Sequence, residues 1–156
     1  MSLRRATPDD AAMLASIQEE ASKAGVPHVY PPTLYPFPRE AVQERWRSYT
    51  AAGGWATVAD DGFVAVDGEW LEAMYVLPAA WGTGLADELH AAALDQLRAH
   101  GAMRARLWVL ELNGRARHFY ERHGWRPDGT SREVEFPPHP TDLGYALDLG
   151  SADHRS

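Results

Sequence analysis

The sequence predicts an α/β (α+β) fold, with a mixed central sheet of about seven strands that carries helices on both faces, and three observations lead there. Apolar positions switch between two-residue and 3.6-residue spacing along the chain, in the order β-α-α-β-β-β-α-β-α-β-β. Asp60-Asp61-Gly62 and Asp67-Gly68 read as hairpin turns that join three successive strands antiparallel. A helical stretch separates Trp70–Leu77 from Arg106–Glu111, and the right-handed crossover rule then makes those two strands parallel neighbours.

Taken in order, Leu3 to Ala6 form a short first strand. Thr7-Pro8-Asp9-Asp10 supplies a cap, a proline and an acid in the first turn of a helix that buries Met13, Leu14, Ile17 and Ala21. Prolines and aromatics crowd the stretch from Gly25 to Pro38, which is therefore a stiff loop. A second helix from about Arg39 spaces Val42, Trp46 and Tyr49 along one face and stops at Gly53-Gly54. Strands Trp55–Ala59, Phe63–Asp67 and Trp70–Leu77 follow, then a helix from about Gly84 to His100 that buries Leu85, Leu89, Ala93 and Leu97 and ends at Gly101. After the strand Arg106–Glu111, Asn113 caps a helix to His123 with Gly124 as its stop. Arg132–Phe136 and Leu143–Leu149 close the sheet on either side of Pro137-Pro138-His139-Pro140.

The 156 residues are 45% hydrophobic and 24% charged, which fits one globular domain over 1–150 and a disordered tail over 151–156. The formal charge of −7 works against sequence-independent nucleic-acid binding and favours a cationic acceptor. No apolar run is long enough for a membrane span, and the N-terminal residues carry no signal-like segment, so a cytoplasmic location is the expectation. The absence of cysteine rules out disulfides, thiolate nucleophiles and cysteine-bound metals. The seven histidines form no metal pattern, since His118 and His123 stand five apart, and the six tryptophans read mostly as core.

Two segments carry the chemistry. Val76-Leu77-Pro78-Ala79-Ala80-Trp81-Gly82-Thr83-Gly84-Leu85-Ala86 reads as strand, glycine turn and helix start, where unpaired amides and the positive end of a helix dipole face outward to an anion. A turn that merely leads into a core helix has the same appearance. Further on stands Asn113-Gly114-Arg115-Ala116-Arg117-His118-Phe119-Tyr120-Glu121-Arg122-His123-Gly124-Trp125. Together the segments resemble the GNAT N-acetyltransferase superfamily, through its Q/R-x-x-G-x-G/A and N-x-x-A-x-x-F-Y-x-x-x-G-F patterns. Trp81 departs from the first by standing where the family has Gln or Arg.

The resemblance implies acyl transfer from acetyl-CoA to the primary amine of a small molecule or peptide, by direct attack in a ternary complex. It places the donor on Tyr75, Val76, Trp81, Gly82, Thr83, Gly84, Leu85 and Ala86 from the first segment, with Asn113, Ala116, Phe119 and Tyr120 from the second. Pantetheine would lie where two strands part, with the Val76 amide at the acetyl oxygen and Tyr120 as proton donor to the leaving thiolate. Glu72 falls by two-residue spacing in the row of Met74 and Val76, where a buried carboxylate is costly unless used, so it is the first candidate base and Glu111 the second. His28, Tyr30, Tyr35 and Phe37, with Glu111, are the expected acceptor contacts. Arg115 and Arg117 read either as solvated charge or as contacts to the adenine-side phosphate. Family members are often homodimers, an assembly that no segment of this chain announces. The departure at Trp81 keeps a second function open, an acyl-CoA-binding module that senses or scaffolds without turnover.

Overall fold

The computed structural model describes residues 2–150, so the expected tail at 151–156 lies outside the described residues. Seven strands, β1 (Arg4–Arg5), β2 (Trp55–Ala59), β3 (Gly62–Asp67), β4 (Trp70–Val76), β5 (Arg104–Leu110), β6 (Arg126–Glu133) and β7 (Thr141–Asp148), form one sheet in the order β1-β2-β3-β4-β5-β7-β6. Every pairing is antiparallel except β4 with β5. The helices are α1 (Ala11–Gly25), α2 (Arg39–Ala51), α3 (Leu85–Ala99) and α4 (Gly114–Arg122).

The helices divide between the two faces. Leu14 and Ile17 of α1 and Trp46 of α2 pack with Phe63, Ala65 and Ala73 on one face. Leu85, Leu89, Ala93 and Leu97 of α3 are fully buried with Val64, Leu71 and Leu107 on the other, where α4 adds Tyr120. Each of those leucines contributes about 2 kcal/mol by burial. Gly62 is what lets α3 approach: a Cβ there would stand 3.1 Å from Leu89 Cδ1 and 3.2 Å from Leu85 Cδ2. Tyr49 ties α2 to the sheet by donating to the carbonyls of Trp55 (2.9 Å) and Val66 (2.6 Å).

The first helix begins as a 3-10 turn over Pro8–Asp10, in which the Thr7 amide donates to the Asp10 carboxylate at 2.8 Å. Arg4 grips the same carboxylate and holds its pKa down at about 2. The sixth strand departs from expectation, running over Arg126–Glu133 rather than Arg132–Phe136. Pro127, Asp128 and Gly129 look like a turn, yet β6 is the edge strand, and its register shifts between Pro127 and Ser131. A missing amide donor and a bulge are tolerated there because no further strand needs to pair. Among the described residues, no helix is long and apolar enough to cross a membrane.

Candidate active site

β4 and β5 share a single pair, Trp70 with Arg106, supported by the Arg106 amide on the Glu69 carbonyl at 2.9 Å. Beyond it β4 runs on to Val76 and β5 to Leu110 without pairing, so the two strands open as a wedge. Leu77 donates to Asp61 at 2.8 Å, which fixes the antiparallel alternation: Tyr75 bonds to β3, and Met74 and Val76 turn their backbone groups toward the wedge. The Val76 carbonyl is taken by the Trp81 indole N–H at 3.0 Å. The Val76 amide is left as the donor facing the gap.

At the mouth of the wedge the chain passes through Gly82 (φ +80°) and Gly84 (φ +93°), in the left-handed region that favours glycine. A Cβ on either would meet nothing within 4 Å, and both are exposed. Among the described residues, the amides of Gly82, Gly84, Ala86 and Asp87 donate to no backbone carbonyl. With the N-terminus of α3 behind them, they form an open, electropositive cradle that suits a pyrophosphate. Two of the expected contacts offer less than their sequence position implies. The Thr83 hydroxyl donates to the Ala80 carbonyl at 2.6 Å and lies 3.4 Å from the Leu85 amide, so it braces the turn. The Leu85 side chain is fully buried.

Trp81, at the position where the sequence departs from the motif, carries the Arg115 guanidinium 3.7 Å above its ring. A cation from α4 is thereby seated on the loop that lacks its own. Arg117, by contrast, is a strut: it donates to the Tyr145 hydroxyl (2.9 Å) and the Glu111 carbonyl (2.9 Å), joining α4 to β5 and β7. Asn113 caps α4 through the Ala116 amide at 3.1 Å, which leaves its own side-chain NH₂ uncommitted to the helix. Ala116 and Phe119 are half-buried against the core.

Tyr120 is 7% exposed, and burial, reinforced by Tyr75, pushes its phenol far above the ordinary tyrosine range. It stays protonated throughout the neutral range. Tyr75 and Tyr30 are likewise pushed up by burial, and Tyr30 also feels the Asp142 carboxylate.

Glu72 is exposed instead of lying in a buried row. Ala65 pairs with Ala73 and Val66 with Leu71, so Glu72 is the extra residue of a β-bulge, and the bulge cancels the two-residue count that put it beside Met74 and Val76. Glu111 is exposed just past the end of β5. His28 reaches across to the Leu112 carbonyl at 2.8 Å and so ties the α1–α2 loop to the far lip of the wedge. Tyr30, Tyr35 and Phe37 are half-buried in the same loop.

Several residues were not singled out by the sequence. Asp142 of β7 is 7% exposed, paired with Leu110 and Arg132 across the sheet, and accepts from Arg132 Nε at 3.0 Å. Burial pushes its carboxyl up while Arg132 pulls it down. Arg132 lies 4.5 Å over the ring of Trp108, which stacks on Trp70 at 5.9 Å. Only Trp46 and Trp125 are fully buried, so the reading of the tryptophans as mostly core fails for those along the wedge. His90 is buried behind α4, where the Trp125 indole donates to its Nε2 at 3.0 Å. Among the described residues no cluster of acids and histidines is suited to a metal.

The family model described as "Acetyltransferase (GNAT) family" matches residues 18–125. The fold is similar to that of a GCN5-related N-acetyltransferase from Rhodopseudomonas palustris, with a TM-score of 0.77 at 19% identity over 94% of each chain. It is also similar to the PaiA N-acetyltransferase of Thermoplasma acidophilum in complex with coenzyme A (TM-score 0.68, 15% identity, 94% of this chain and 98% of that one). YncA from Salmonella typhimurium, with its cofactor acetyl-CoA, gives a TM-score of 0.68 at 16% identity over 97% of this chain and 95% of the other. No curated protein matches the chain by sequence.

Proposed function

Because the chain belongs to the GNAT acetyltransferase family, we propose that it moves an acetyl group from acetyl-CoA to the primary amine of an acceptor, by direct attack with both substrates bound. The observation that supports this best is the wedge: β4 turns the unpaired Val76 amide into it, beside an open glycine cradle and over the core that buries Tyr120.

The residues present fit the donor. Amides of Gly82, Gly84, Ala86 and Asp87 would hold the pyrophosphate, with Arg115, seated on Trp81, as the neighbouring cation. The side-chain amide of Asn113 and the walls formed by Tyr75, Ala116 and Phe119 would hold the pantetheine arm. Bound there, acetyl-CoA supplies the acetyl group as an activated thioester.

The chain's own groups do the rest. The Val76 amide is a preorganised donor to the oxygen that gains negative charge, and one such donor is worth about 100- to 1000-fold in rate. Tyr120, protonated throughout the neutral range, is the group assigned to protonate the departing sulfur, and its raised pKa makes it a weaker acid toward a thiolate than a free phenol is. Glu72, exposed in the bulge, is the carboxylate assigned to draw the amine's proton off through water. The α1–α2 loop, pinned by His28, lines the acceptor side with Tyr30, Tyr35 and Phe37.

Tyr120→Phe is the test. Thiol release from acetyl-CoA should fall about 100-fold in kcat, while acetyl-CoA affinity measured by calorimetry changes less than about twofold. Acetyl-CoA binding with no turnover by the wild type against a broad set of amines would favour the acyl-CoA-binding module instead.

A further inference from the structure

The open face of the β5–β7–β6 half-sheet holds an arginine arranged for a ligand. Arg132 Nε is committed to Asp142 at 3.0 Å, and Trp108 lies beneath the guanidinium at 4.5 Å. Asp142, 7% exposed, fixes one edge of the guanidinium from below, and the aromatic stack fixes its plane. The Nη edge is left outward: among the described residues no hydrogen bond is made from either Nη, and the side chain is 54% exposed. Two parallel N–H donors in a fixed plane match a carboxylate. The Asp142 charge behind offsets that of Arg132, which favours a monoanion over a phosphate dianion.

The position is also telling. Asp142 pairs with Leu110, at the end of β5 where the wedge opens, and its charge reaches Tyr30 of the acceptor loop. The face that carries Arg132 is the one opposite α3 and α4, because Leu143 and Tyr145 point to that helical side while Asp142 alternates away from it. The cradle and this arginine therefore approach the wedge from opposite faces of the sheet.

We propose that Arg132, held by Asp142 and Trp108, anchors the carboxylate of the acceptor, so that the acceptor is an amine that also bears a carboxylate, as an amino acid does. Asp142 and Trp108 act as positioning residues. This rests on the acetyltransferase reading for its chemistry, but the anchor itself is a binding claim.

Calorimetry tests it with the twenty amino acids, each amino acid that binds being titrated beside its own carboxamide, with no turnover required. At least one amino acid should bind wild type about tenfold more tightly than its carboxamide. Arg132→Ala should erase that preference, and Arg132→Lys, which keeps the charge without the fork, should restore only part of it. Asp142→Asn should weaken amino-acid binding several-fold, with a thermal melt showing whether the variant is folded. Equal binding of acid and amide, no binding of any amino acid, or an unchanged preference in Arg132→Ala would overturn the proposal. Acetyl-CoA is titrated into the same samples. Its failure to bind would count against the acetyltransferase reading alone.

Discussion

The two sides of the wedge are built from different materials. On the proposed donor side the contacts would be main-chain amides, aimed by the positive φ of Gly82 and Gly84 and backed by a helix terminus. On the proposed acceptor side they would be side chains from separate segments, Arg132 and Asp142 joined by the β6–β7 register and Tyr30 carried in by the α1–α2 loop. A main-chain site depends on how its helix is seated and tolerates side-chain change. A side-chain site fails one residue at a time.

The sharpest way to break the donor side is therefore to unseat α3. Gly62→Val would place its Cβ 2.9 Å from the Tyr75 carbonyl oxygen and against Leu85 and Leu89, with two γ-methyls still to be fitted. It should cost about 3 kcal/mol in urea denaturation, and it should weaken acetyl-CoA binding without touching any cradle residue.

A second effect of similar size lies behind the cradle. Burial and the neighbouring His123 hold His90 down at about 4, so it is neutral when folded, with Trp125 donating to it. Its folded pKa lies below its unfolded one. The unfolded chain therefore binds the extra proton, and stability is lost as pH falls from about 6.5 toward about 4 by up to roughly 3 kcal/mol. Asp87, which raises the His90 pKa, and Arg98, which lowers it, are the other charges that act there. His90→Gln should flatten the pH dependence of the melting temperature over that window; an unchanged slope would remove His90 as its origin.

Smaller effects separate the two sides. Arg115→Ala should raise the acetyl-CoA Kd about fivefold, the worth of one exposed cation beside the phosphates, which Trp81 holds in place. It should leave the acceptor KM unchanged. His28→Ala removes the bond to the Leu112 carbonyl and should do the reverse, raising the acceptor KM about threefold with the acetyl-CoA Kd unchanged. If either variant moved both constants equally, the division of the wedge into two independent halves would be wrong.

The same contrast explains what could be read from the sequence. The glycine turn ahead of α3 was legible because Gly82-Thr83-Gly84 and the helix start that follows lie side by side in sequence. Element order and the α3 core followed from periodicity for the same local reason, and the parallel β4–β5 neighbours followed from the crossover rule applied to that order. Three features did not. The bulge at Glu72 shifts a strand by one residue, and periodicity counts straight through it. β6 hides behind Pro127 and Gly129, which mark turns everywhere except on an edge strand. Arg132 and Asp142 stand ten positions apart across a proline loop, and only the β6–β7 register makes them partners. Had that register been drawn through Pro137-Pro138-His139-Pro140 as a hairpin, an aspartate at the head of β7 opposite an arginine would have been the available signal.

The most direct measurement is calorimetric titration of acetyl-CoA into the wild type and into Gly84→Glu, with a melting curve as the control for folding. Gly84 has φ +93° and open space around it, so a glutamate there brings a carboxylate to the amides that would hold the pyrophosphate. Saturable binding by the wild type and none by a folded Gly84→Glu is the predicted result. Equal binding by both proteins, or no binding by the wild type, would contradict the cradle as the donor site.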